Sequence, residues 1–205
     1  MTILTLVRHG ETDWNLERRI QGSTDIPLND TGRAQALQAA RGLREILDGA
    51  PHAPAPIVVT SDLSRARETA EIIAAELGLA APRAYPQLRE RAYGQAEGVL
   101  VSEFLERFGS WERESVPDAE PRDELRRRGV RALHRIARDV RRVTAPAAAS
   151  VIAVSHGALI GELIRYASGD TLPLPGERIP NASLHTFRID DGALQLIDYS
   201  ALAAA

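Results

Sequence analysis

ILTLVRHGET, residues 3–12, decides how this chain is built. Residues 3–7 are apolar apart from Thr5, without the polar alternation of a strand that has one face in water. The run stops abruptly at Arg8-His9-Gly10. The same grammar returns twice. Ile57-Val58-Val59-Thr60 runs into Ser61-Asp62-Leu63-Ser64-Arg65, and Val151-Ile152-Ala153-Val154 runs into Ser155-His156-Gly157. Each reads as a short buried strand that ends in polar residues and a turn.

Helical stripes fill the intervals. Over residues 31–47, Ala36, Ala40, Leu43 and Leu47 fall at spacings of four, three and four, and Gly49 ends the pattern. GAPHAPAP (49–56) is a Pro-broken loop. Ser61 is read as the N-cap of a second helix, with Leu63, Ala66, Ala70, Ile73 and Leu77 on one face and Gly78 after it. A Pro-interrupted stretch leads to Leu88. Residues 99–121 are irregular and are read as a lid insertion, with a short helix near 101–107. A long helix is expected over 122–143, with Leu133, Ile136, Val140 and Val143 inward, and another over 158–167. Segments 183–189 and 193–199 flank Asp190-Asp191-Gly192, a hairpin signal. This order implies an α/β fold: one domain over 1–205, a three-layer αβα sandwich with a mostly parallel central sheet. Such sheets bind ligands at the carboxyl ends of their strands.

Composition narrows the partners. The chain has 205 residues, 44% hydrophobic and 26% charged, with formal net charge −3, so a packed core is expected and wholesale disorder is not. That charge gives no reason to expect nucleic acid or an anionic membrane. No cysteine is present, which excludes disulfides, thiolate metal sites and a cysteine nucleophile. A cytoplasmic setting fits. The five-residue apolar run near the N-terminus is too short for a secretory signal. Lysine is also absent, so any anion site must be built from Arg, His and backbone N–H groups.

The three strand ends supply those groups: Arg8 and His9, Arg65, and His156. The second and third are strand-to-helix turns, where unpaired N–H groups favour an anion. Two guanidinium groups and two imidazoles suit a phosphoryl dianion. One neutral imidazole can attack phosphorus while the other, protonated, stabilises the equatorial oxygens. A carboxylic acid must then protonate the leaving oxygen. The residues alone leave Glu90, Glu97 and Asp13 as candidates.

LVRHGETDWN (6–15), RRIQG (18–22), DIPLNDTGRAQA (25–36), SDLSRARETAEII (61–73), LRERAYGQAEG (88–98), VSHGALI (154–160) and NAS (181–183) together resemble the histidine phosphatase superfamily, in its phosphoglycerate-mutase-like branch. The resemblance implies that His9 is the phosphohistidine and that Arg8, Arg65 and His156 hold phosphoryl oxygens, with the Gly157 N–H nearby. It implies Glu90 as proton donor and acceptor. Asn15, Gln21 and Gly22 match pocket positions, Arg67 matches one in some members, and Tyr93 matches a substrate-side position. No metal and no organic cofactor is implied.

The expected activity is that of a phosphomonoesterase acting on a small phosphorylated metabolite. The alternative is a phosphoglycerate mutase primed by 2,3-bisphosphoglycerate. Against the mutase, the position of its lysine falls on Val101, and Trp111-Glu112-Arg113 carries Glu112 in place of an arginine. A glutamate there repels a carboxylate or second phosphate. Arg91, Tyr93 and Arg113 are retained. The cap motif departs from the family's pattern, reading Asp118-Ala119-Glu120-Pro121. A third reading, a binding module without turnover, fits poorly with a nucleophile and an acid together. A homodimer accords with the family. His52, His134 and His185 are assigned no function, and the nine arginines of 122–142 are read as a solvated face.

Overall fold

The structure, a computed structural model, describes residues 1–49, 53–109, 116–190 and 192–200. In chain order the elements are β1 (Thr2–Arg8), α1 (Asp13–Leu16), α2 (Asp30–Asp48), β2 (Ile57–Thr60), α3 (Ser64–Leu77), β3 (Arg83–Ala84), α4 (Val101–Phe108), α5 (Arg122–Thr144), β4 (Val151–Ser155), α6 (Gly157–Ala167), β5 (Leu184–Asp190) and β6 (Ala193–Asp198). The strands form one sheet in the order β3-β2-β4-β1-β5-β6. The first four are mutually parallel; β5 runs antiparallel to β1, and β6 to β5.

Successive strand residues point to opposite faces, so both faces need apolar cover. Leu4, Leu6, Val59, Val151 and Ala153 pack with Leu133 and Ile136 of α5 and with Leu159 and Leu163 of α6. Their neighbours Val7, Val58, Ile152 and Val154 pack on the other side, with Ala40 and Leu43 of α2 and Ala66 and Ile73 of α3. The result is an α/β sandwich, as the sequence implied, built on a six-stranded sheet. A third cluster of Ile20, Ala96, Phe104 and Val116 seats α4. No described helix is long and apolar enough to cross a membrane.

Three local expectations are corrected. β3 was not foreseen: its two residues are exposed and carry no apolar run. Val143 lies outward, 57% exposed, because the apolar stripe of α5 ends at Val140 and the last turn faces solvent. Ser61 is not the cap of α3, whose N-cap position is Leu63. Asp191, His52 and the Trp111-Glu112-Arg113 run lie outside the described residues.

Candidate active site

Strand register builds the centre of the site. β1 and β4 are parallel, with Arg8 opposite Ser155, so the next residues on each strand, His9 and His156, emerge side by side. The His9 N–H donates to the Ser155 carbonyl at 3.0 Å. The two rings lie 5.2 Å apart between centroids, tilted by 58°. On the other flank of β4, the Ser61 N–H donates to the Val154 carbonyl at 3.0 Å, and the chain turns into α3 and Arg65. The α3 N-terminus is capped from a distance: Asp25 Oδ1 accepts from the Ser64 N–H at 2.8 Å and from its hydroxyl at 2.7 Å. A cap 39 residues away leaves no local signal, which is why Ser61 looked like the cap.

Arg65 is fully buried. Its terminal nitrogens donate to the Gly22 carbonyl at 2.7 Å and the Thr24 carbonyl at 2.8 Å, while Nε has no partner. Burial pushes its pKa down to about 10. Arg8 donates to the Ile179 carbonyl and keeps Nε free. His156 is fully buried with neither ring nitrogen bonded. Among the described residues, six buried side-chain polar atoms lack a partner; Arg8 Nε, Arg65 Nε and the two His156 nitrogens are four of them, and Gln21 Oε1 is a fifth. A buried unpaired polar group costs about 1–3 kcal/mol. Such a concentration in one place marks groups held for a ligand.

His9 differs. Its Nδ1 lies 2.7 Å from the Gly10 carbonyl, which can only accept, so Nδ1 carries the proton and Nε2 keeps its lone pair. Burial, then the charges of Arg65 and Arg8, hold its pKa well below the usual imidazole value. His156 is lowered likewise, by burial first and then by Arg65. The Gly10 N–H donates to Thr69 Oγ1 at 3.1 Å, and that hydroxyl donates to the Arg65 carbonyl at 2.7 Å. Gly10 is forced by contact, because a Cβ there would lie 2.3 Å from the Gly32 carbonyl oxygen.

The three carboxylate candidates separate. Asp13 is exposed in the first turn of α1. Glu97 is tied down: Oε1 accepts from the Ser23 N–H, the Ser23 hydroxyl and the Tyr93 N–H, and Oε2 from the Thr24 N–H and hydroxyl. Burial raises its pKa, but these bonds outweigh burial and leave it below the ordinary value. Glu90 lines the cleft with Arg8, His9 and Arg65. Its carboxylate accepts from the Ala158 N–H at 3.0 Å and the Leu159 N–H at 3.2 Å, at the N-terminus of α6 directly after His156.

Asn15, Gln21, Gly22, Tyr93, Gly157 and Val101 also line this cleft, whose volume is about 1820 Å³. Asn15 doubles as half of a capping box with Thr12 at α1, and Asn181 donates to its Oδ1 at 3.3 Å. Gly157 lies against the Arg8 guanidinium: a Cβ there would sit 3.4 Å from Arg8 Nε. Arg67 is the exception. It does not line the cleft, and its side chain is 58% exposed, 3.9 Å from Glu71. Two residues along a helix is a turn of about 200°, so with Arg65 inward Arg67 faces out.

A family model of the histidine phosphatase superfamily (branch 1) matches residues 4–201. The chain belongs to the histidine phosphatase superfamily. It is 36% identical over 200 residues to the uncharacterized phosphatase PhoE of Bacillus subtilis, covering 98% of this chain and 95% of that one. It is 35% identical over 202 residues to the probable phosphoglycerate mutase GpmB of Klebsiella pneumoniae, covering 95% and 83%. Among solved structures, YhfR of Bacillus stearothermophilus superposes with TM-score 0.77 at 28% identity, covering 96% of this chain and 95% of that one.

Several supports of this site escaped sequence reasoning. Arg128 of α5 donates to the carbonyls of Gln87 and Arg89 at 2.8 and 3.0 Å while gripping Glu120 at 2.8 Å, so it holds the loop that presents Glu90. Arg122 and Arg126 bond the buried Glu162. The Arg-rich helix is thus only partly a solvated face. Asn181, inside the NAS run, donates to the His9 carbonyl at 3.0 Å. Apart from the Arg128–Glu120 pair, eight residues apart, these contacts span 36 to 172 residues and have no periodicity to announce them.

Proposed function

We propose that the chain is a phosphomonoesterase that hydrolyses a small phosphorylated metabolite through a phosphohistidine at His9. The observation that carries this reading is the pairing of a deprotonated Nε2 on His9 with unspent buried donors on Arg8, Arg65 and His156. The guanidinium and imidazole N–H groups bind the equatorial phosphoryl oxygens. Nε2 attacks phosphorus as the ester P–O bond breaks, and the departing oxygen takes a proton from the Glu90 carboxyl. Water then attacks the phosphohistidine, giving its proton back to Glu90, and phosphate leaves. The donor set needs no metal, so turnover is expected to survive EDTA.

Arg91 and Tyr93 in the cleft, and the name of the Klebsiella relative, favour the mutase as second reading. Val101, which also lines the cleft, favours hydrolysis because it offers no positive charge. The test is phosphate release from p-nitrophenyl phosphate, 3-phosphoglycerate and sugar phosphates, with 2-phosphoglycerate assayed in the same tubes with and without 2,3-bisphosphoglycerate. Phosphate release without isomerisation, lost in His9→Ala, is expected. Isomerisation that depends on the bisphosphate overturns it.

A further inference from the structure

Most arginines along the cleft are already spent. Arg19 bonds Glu17 and the Gly98 carbonyl. Arg91 donates to the Glu120 carbonyl and lies 5.1 Å from the Tyr93 ring centroid. Arg122 and Arg165 both face the buried Glu162. The side chains of Arg18 and Arg178 have no hydrogen-bond or ion-pair partner among the described residues, yet both residues line the cleft. The two are not equivalent. Arg178 immediately precedes Ile179, whose carbonyl holds the Arg8 guanidinium. Its charge is near enough to Arg8 to help lower the pKa of that group, after burial. Arg178 therefore stands beside the phosphoryl-binding arginine, on the exposed side of a loop whose next residue is buried.

A free guanidinium beside an already positive site is electrostatically unfavourable unless an anion offsets both charges. We propose that Arg178 is a specificity-determining residue that binds a second anionic group, a carboxylate or another phosphate, on the substrate whose phosphoryl group enters between His9 and Arg8. The substrate class is thereby narrowed to phosphomonoesters bearing a further negative charge. Arg178 replaces by another route the cation that Val101 does not supply. This rests on the phosphomonoesterase reading for turnover, but the binding it describes does not.

The test uses matched ligands: glycerol 3-phosphate against 3-phosphoglycerate, which adds a carboxylate, and fructose 6-phosphate against fructose 1,6-bisphosphate, which adds a phosphate. Wild type, Arg178→Gln and Arg18→Gln are compared. The Arg18 variant removes the same charge from the same cleft. Arg178→Gln is expected to lower kcat/KM about tenfold or more, mostly through KM, for whichever second group the site takes. Its effect on the partner without the second anionic group should stay within about twofold, and Arg18→Gln should spare both. Equal losses on partners with and without the second anionic group, equal losses in both variants, or no loss would overturn the proposal. Calorimetric binding of the same ligands to His9→Ala, with and without Arg178→Gln, reads the preference without turnover. If wild type releases no phosphate from any ester, the phosphatase reading fails. An Arg178-dependent preference in that calorimetry would still sustain this one, and its absence would end it.

Discussion

Glu97→Gln isolates the staple that holds Arg65. The carboxylate accepts five hydrogen bonds, three on Oε1 and two on Oε2. A glutamine keeps one acceptor oxygen. In its better orientation it retains the three bonds from Ser23 and Tyr93, loses the bond from the Thr24 N–H, and turns an amide donor toward that N–H, while the Thr24 hydroxyl turns to accept from the amide. At roughly 1 kcal/mol net per lost bond in a half-buried setting, plus the donor facing a donor, the loss is about 2–3 kcal/mol. For a chain of this size that lowers Tm by roughly 5–10 °C. The loop is also what Arg65 grips, through the Gly22 and Thr24 carbonyls. Inorganic phosphate, as a competitive inhibitor, should therefore bind several-fold more weakly. Because the folded Glu97 carboxyl lies below its ordinary pKa, its stabilisation is present above the carboxylate range and disappears as pH falls through the folded value. Wild type and variant should converge in Tm in acid. Differential scanning calorimetry from pH 3 to 8 and phosphate inhibition check both parts. An unchanged Tm at pH 7 would refute the bond count; a lowered Tm with unchanged phosphate inhibition would refute the link to Arg65.

Three further outcomes are expected. Thr69→Val leaves the buried Gly10 N–H without its acceptor and should cost about 1–3 kcal/mol in urea unfolding, at an unchanged m-value. Gly129→Ala would place a Cβ 2.7 Å from Leu159 Cδ1 and 3.2 Å from Leu163 Cδ2; overpacking of roughly 1–3 kcal/mol outweighs the better helix propensity, so the urea midpoint should fall. His9 and His156 stay neutral in the fold because burial and then Arg65 lower their pKa values. As pH falls below the ordinary imidazole range, the unfolded chain gains protons there and the folded chain does not, so stability should decline from about pH 6.5 downward. In the pH–rate profile, corrected for substrate ionisation, no limb near 6.5 should arise from His156; one that vanishes in a variant retaining residual activity, His156→Asn, would contradict this.

The parts of this molecule written in short-range pattern were legible in its sequence. Three buried strands, four of the helices and the hairpin announce themselves by period and by Gly or Pro stops, and the polar residues after each strand give Arg8, His9, Arg65 and His156. β3 was silent because two exposed residues carry no period. Arg67 was misplaced because a motif fixes spacing along the chain, whereas the angle around α3 fixes which side chain enters the cleft. The choice among Glu90, Glu97 and Asp13 could not be made from the residues, since all three are loop or helix-start carboxylates. Only the partners brought from Ser23, Thr24 and Ala158 separate them.

The position of β4 between β2 and β1 carries a consequence for synthesis. Two of the first strands to leave the ribosome have no shared neighbour until residues 151–155 emerge. Until then each has an unpaired edge, and His9 lacks both its carbonyl partner at Ser155 and the imidazole beside it. Arrival of β4 joins the two halves of the sheet and sets His156 beside His9, and the anion pocket is complete once residues 179 and 181, which hold Arg8 and the His9 carbonyl, have followed. A phosphorylated ligand, which binds only the finished state, should therefore act as a chaperone of the last folding step, drawing nascent chains forward by mass action.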